Sequence, residues 1–134
     1  MKKSKFTIPL LTLLILGCAS YQLSRQMEKF DLVSQNYANA LKWSDFQAAY
    51  NYSKDAQTGS NPPDFRKLQL ARVTSYEVRQ FTASDDNSQV RQIVEIKYYK
   101  VNYNVVQTII DHQLWEYDPE NNIWHLQSKL PDFK

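Results

Sequence analysis

The side chains able to do chemistry in this chain are few and unevenly placed: the adjacent pair Asp111-His112, a second histidine at His125, the single thiol of Cys18, and tyrosines such as Tyr98 and Tyr99. An aspartate and a histidine form an acid–base pair when both reach one reacting atom within hydrogen-bond distance. The segment around residues 111 and 112 alternates like a strand, where neighbouring side chains point to opposite faces. The pair therefore converges on one pocket only if a bulge intervenes. His112 and His125 are the only histidines and can meet across a hairpin, but two histidines without a third ligand make a poor zinc site. Beyond residue 17 the chain keeps one glycine, Gly59, so it has no glycine-rich phosphate loop. Serine-nucleophile motifs are absent as well.

Aromatic residues are the other chemically notable set, with nine Tyr, six Phe and three Trp. Trp43, Trp115, Tyr117 and Trp124 are expected to pack a hairpin against helices, since buried aromatics fill small interiors well. Lining a pocket instead, they would suit an apolar or amphipathic ligand such as a lipid or glycan fragment. Tyr99, Val101 and Tyr103 alternate opposite Tyr98 and, if exposed together, mark a partner surface.

The elements that position these residues follow from periodicity. From Ser24 to Leu41 apolar residues recur at Met27, Phe30, Val33, Tyr37 and Leu41, the spacing of one helical face. Ser44 with Gln47 resembles a capping box opening a second helix to about Lys54, with Trp43 as its hydrophobic staple. Residues 55–63, DAQTGSNPP, are dense in turn formers and predict a loop; a short helical turn over Phe65–Leu68 is expected to follow Pro62-Pro63-Asp64. The period then becomes two. Strands are predicted over Leu70–Thr82, with a bulge near Thr74-Ser75, and over Gln89–Tyr103, where Val90, Val94, Ile96 and Tyr98 share one face and Arg91, Glu95 and Lys97 the other. Two more strands are expected over Val105–Tyr117 and Ile123–Ser128, separated by the turn Asp118-Pro119-Glu120-Asn121-Asn122.

At the other end, Lys2, Lys3 and Lys5 precede an apolar run from Phe6 to Leu16, with Gly17 before Cys18. Eleven apolar-run residues fall short of the roughly 20 needed to span a bilayer, and the layout is that of an export signal. Ile15-Leu16-Gly17-Cys18 resembles the lipobox of bacterial lipoproteins. The resemblance implies a signal peptide over 1–17, cleavage before Cys18, and lipidation of that cysteine, with 18–23 as a lipidated tether. Several acyl chains hold a domain on a membrane where one binds only reversibly. Lipidation also accounts for a lone cysteine in an exported chain. Ala19 in place of an acidic residue implies the outer membrane if the source is Gram-negative.

Three of the sixteen basic residues lie in 1–17, leaving thirteen against fourteen acidic ones. With no basic stripe, nucleic-acid binding is not expected. The remaining length suits one domain, 24–134. Two helices followed by four antiparallel strands is an α+β order. Together with NYANALKWSDFQAAYNY and VEIKYYKVNYNVVQTIIDHQLWEYDPENNIWHL, it resembles the NTF2-like (cystatin-like cone) fold, N-terminal helices lying on a curved four-stranded sheet. The resemblance implies a concavity between helix and sheet, with Asp111, His112 and Tyr98 among its candidate lining residues. The function expected is a non-enzymatic envelope lipoprotein that binds another envelope protein or associates with itself. A carrier or sensor of a small apolar ligand is the alternative, and an enzyme using Asp111 or His112 the third reading. No cofactor is called for.

Overall fold

The computed structural model describes residues 12–134, with side chains from Cys18 onward. The lysine head and residues 6–11 of the apolar run lie outside the described residues. Four helices precede four strands: α1 (Thr12–Lys42), α2 (Phe46–Tyr50), α3 (Lys54–Thr58), α4 (Phe65–Leu68), β1 (Ala71–Ala83), β2 (Gln89–Lys100), β3 (Gln107–Asp118) and β4 (Ile123–Leu126). The strands form one antiparallel sheet in chain order, β1-β2-β3-β4. α1 lies against its inner face, so the protein is an α+β domain whose architecture is consistent with an NTF2-like cone.

α1 is longer than the amphipathic pattern alone indicates. Residues 18–23, expected to be a tether ahead of a helix from Ser24, continue the helix instead. Ala19, Gln22, Leu23 and Arg25 all favour helix, and Gly17 alone does not break it. Among the described residues, no helix is long and apolar enough to cross a membrane. α1 first meets the β1–β2 connection, where Asn87 Nδ2 donates to the Leu23 carbonyl at 3.5 Å, and then β4, where Trp124 Nε1 donates to the Gln26 carbonyl at 2.9 Å. Contact continues through Phe30, Tyr37 and Leu41, spaced along the buried stripe.

The corner after α1 corrects the capping assignment. Ser44 takes φ 57°, its N–H bonds Leu41 O at 3.0 Å, and the Asp45 N–H bonds Ala40 O at 2.8 Å. These two bonds form the Schellman closure of α1. Ser44 therefore ends the first helix, and Asp45, whose carboxylate accepts from Ala48 N, caps the second. Trp43 belongs to the last turn of α1 and cannot staple α2. α2 stops at Tyr50 rather than Lys54. The expected loop of 55–63 begins as α3, capped by Ser53 and ended by Gly59 at φ 67°.

The sheet follows the alternation closely. Val90, Val94, Ile96 and Tyr98 are buried on the inner face of β2. The register of β1 on β2 slips between Val73 and Ser75, at the bulge expected there, and again between Val78 and Gln80. β2 ends at Lys100, so Tyr103 lies in the following turn and no continuous Tyr99-Val101-Tyr103 stripe exists. Left-handed Asn87, Asn104 and Asn122 close the three strand connections, a conformation asparagine tolerates. The core is aromatic: the Phe30 ring contacts Phe81, Trp115 and Trp124 at 5.9, 5.9 and 5.2 Å between centroids.

Candidate functional site

β3 places Asp111, Gln113 and Trp115 on the inner face, all buried, while His112 points outward and is exposed. No bulge intervenes between β2 and β3, so the sheet separates Asp111 from His112 and they form no dyad. His112 sits opposite Ile93 and His125 opposite Glu116, about 13 Å apart along β3 at strand rise. The two histidines do not meet. No cluster of three metal-ligating side chains exists among the described residues.

Asp111 instead joins a buried network centred on Gln113. The Gln113 Nε2 donates to Asp111 Oδ2 at 2.8 Å and to Tyr76 Oη at 3.0 Å. Its Oε1 accepts from Gln92 Nε2 at 2.9 Å and from Trp115 Nε1 at 3.1 Å. One amide thus satisfies four partners, which is what a buried polar group requires. Burial pushes the Asp111 carboxyl above the usual carboxylate range, against the opposing pull of the Gln113 bond and His112. Tyr37 and Tyr76 are held as neutral phenols, first by burial and then, among other causes, by Asp111. The Tyr37 hydroxyl is buried without a hydrogen-bond partner. An acid beside two phenols has the ingredients of proton transfer, but Trp115, Trp124, Tyr37 and Phe30 fill the space between α1 and the sheet and are at most 2% exposed.

The raised carboxyl gives a stability signature. A folded-state pKa above the unfolded value of about 3.9 means the folded chain holds the proton more tightly, so this contribution is full below about pH 4 and is lost as pH rises through the folded pKa. Asp111→Asn, which cannot ionise, is expected to gain stability relative to wild type between pH 4 and pH 7. Urea unfolding of both proteins at the two pH values measures the difference; a constant difference would mean the carboxylate ionises without penalty.

The other residues singled out in the sequence are dispersed. Tyr98 is buried, its hydroxyl lying 2.8 Å from Gln107 Oε1 and 2.9 Å from the Lys134 carbonyl oxygen, within reach of its one proton, with its ring on Phe133. Tyr99 and Tyr117 are half-buried, the Tyr117 ring packing at a tilt against Trp124 with centroids 5.4 Å apart. Trp43 is 85% exposed, the reverse of the core role expected for it. It lines a shallow recess with Lys42, Arg66, Leu70, Arg72 and Val101. The Arg72 guanidinium donates to the Gln69 and Ala71 carbonyls. Among the described residues none of these three cations has an ion-pair partner; the three ion pairs join Arg79 to Glu77 and Glu95, and Lys134 to Asp132. A separate groove of about 460 Å³ lies between the α2–α4 region and the C-terminal tail, lined by Tyr50, Pro62, Leu68, Leu130 and Phe133 among others.

Sequence reasoning missed Gln92, Gln113, Tyr76 and the cations around Trp43. Gln92 and Gln113 stand at inward positions, between Val90 and Val94 and between Asp111 and Trp115, and that misplacement of polar groups was the available signal. The Trp43 cluster gave none, because Arg66 and Arg72 reach it only through the fold. Comparison with protein-family models, curated proteins and solved structures gives no match.

Proposed function

We propose that this protein is a small, non-enzymatic envelope lipoprotein, held by lipid on Cys18 at the bacterial cell envelope, the outer membrane if the source is Gram-negative, whose domain binds another envelope protein. The observation that carries the reading is Trp43, exposed among unpaired cations at the opposite end of α1 from Cys18. Trp43 stands 25 residue steps beyond Cys18, and helical rise sets the two about 38 Å apart. An anchor at one end and a contact surface at the other suit a domain that reaches from a membrane. Trp and Arg are the residue types most enriched where interfaces concentrate their binding energy. The cations select a partner with acidic groups around an apolar residue. The filled space between α1 and the sheet weighs against a ligand carried there, and the separation of Asp111 from His112 weighs against an acid–base enzyme.

Metabolic labelling with a palmitate analogue tests the anchor: label and membrane association are both expected to disappear in Cys18→Ala, and an unlabelled, soluble wild type would sink that half. The contact surface is tested with a photo-crosslinking residue at position 43 in cells. One discrete adduct, lost when Arg66→Glu and Arg72→Glu are combined, is expected; an adduct that survives charge reversal, or none, would remove the surface from the proposal. Trp43→Ala itself should change folding stability by less than about 0.5 kcal/mol, as surface substitutions do.

A further inference from the structure

The sheet has two edges, and they differ. β1 is interrupted twice in register, at Thr74 and Arg79, and carries Arg72, Glu77 and Arg79 exposed. Bulges and charges are how proteins keep an edge from pairing. β3 forms the other edge over Gln107–Gln113, because β4 pairs only with Trp115–Asp118. This edge runs without a bulge along β2.

Which backbone groups face outward follows from two bonds. The Tyr117 N–H reaches Ser88 O, on the β2 side. Leu114 points the other way: its carbonyl accepts from Gln127 N at 2.8 Å, and its N–H donates to Ser128 Oγ at 3.3 Å. Orientation alternates along an unbulged strand, so Thr108, Ile110 and His112 direct their N–H and C=O groups off the edge. The C-terminal tail covers Leu114 and then turns onto the inner face, where Phe133 packs on Phe46 and Tyr98. It makes no backbone bond to residues 108, 110 or 112. Their side chains are exposed on the outer face, Ile110 to 52%.

We infer that this edge pairs with the same edge of a second copy of the chain, antiparallel, with Ile110 on the two-fold axis. The set 108, 110, 112 is self-complementary in one register only: Thr108 opposite His112 of the other copy, and Ile110 opposite Ile110. That register makes six backbone hydrogen bonds and joins the two sheets into one of eight strands. A symmetric dimer needs an isologous patch of this kind. The seam sets isoleucine against isoleucine and threonine against histidine, pairs that stabilise a sheet. No Lys, Arg or Glu stands on the edge at these positions. The window closes at Leu114, so the contact is small and the dimer reversible. The pairing stands whether or not Cys18 is lipidated; tethering two copies on one membrane would raise their effective concentration and strengthen it.

The test is disulfide trapping in the full-length protein in membranes, with wild type controlling for Cys18. Ile110→Cys is expected to yield an oxidised dimer well above wild type, since facing residues lie within disulfide reach. Thr108→Cys and His112→Cys should each give none alone, their self-distances being about 13 Å, yet give a mixed dimer when co-expressed. Sedimentation of the purified full-length chain in detergent should show a dimer that Ile110→Lys weakens at least tenfold with circular dichroism unchanged. A folded Ile110→Cys protein that does not cross-link overturns the pairing, and efficient self-linking at 108 or 112 overturns the register. Membrane fractionation of the same samples reports the anchor separately, so a soluble chain that still cross-links at 110 removes the lipid reading and leaves this one standing.

Discussion

Gln113→Leu is expected to lower the unfolding free energy by about 3–5 kcal/mol, although it conserves volume and adds apolar surface. The reason is that Gln113 is the common partner of four buried groups: Asp111, Tyr76, Gln92 and the Trp115 indole. Each buried donor or acceptor left unpaired costs about 1–3 kcal/mol. Tyr76 is only part-buried and can turn toward water, whereas Gln92, Asp111 and Trp115 are enclosed, so about three penalties from the lower part of that range remain. Small domains are stable by about 5–15 kcal/mol in total, which would leave the variant marginal at room temperature. Urea midpoints and the near-ultraviolet circular dichroism of the tryptophans measure the effect. Tyr76→Phe, which removes a single bond, should cost about 1 kcal/mol. A loss below 1 kcal/mol in Gln113→Leu would mean the network contributes nothing beyond packing.

That network also explains why the polar interior was hard to see in the sequence. A strand facing a core should alternate apolar and polar, and β2 does so at Val90, Val94, Ile96 and Tyr98. Gln92 breaks the pattern, as Asp111 and Gln113 do on β3, and each alone has the appearance of tolerable noise. Their meaning is pairwise: Gln92 and Gln113 lie opposite one another in register, and pairing between strands is not written in either strand separately. In the sequence Asp111 stands beside His112. Its partners are its neighbours in space.

The architecture was more legible, because strand period and turn chemistry are local. The bulge near Thr74 is legible because Val73 and Tyr76, three residues apart, cannot share one strand face without an extra residue between them, and the Asp118–Asn122 turn is legible from its composition. Errors arose at helix ends, where competing local motifs are close in energy. Ser44-x-x-Gln47 has the composition of a capping box, yet the same serine closes α1, and its hydroxyl bonds Ala71 O at 3.2 Å. A one-residue shift in the cap moved Trp43 from an expected staple to the most exposed tryptophan of the chain. The end of a helix, not a loop, therefore presents that indole to solvent.

Phe30→Ala is the second large effect, with an expected loss of about 3–5 kcal/mol, the usual range for a phenylalanine deleted from a core. Phe30 is 2% exposed and its ring meets Phe81, Trp115 and Trp124, so it joins α1 to β1, β3 and β4 at once. Leu32, two residues on and 62% exposed, provides the control: Leu32→Ala should stay within about 0.5 kcal/mol. The pair tests more than packing. Twelve residues separate Phe30 from Cys18, about 18 Å of helix, so Phe30 is the first fully buried residue to take any pull applied at Cys18. If α1 docks through this ring, hydrogen exchange in Phe30→Ala should rise along residues 26–41 before it rises in β2 and β3. Equal loss of protection in helix and sheet would show instead that the domain opens as one unit, and that α1 cannot move on its own relative to the sheet it covers.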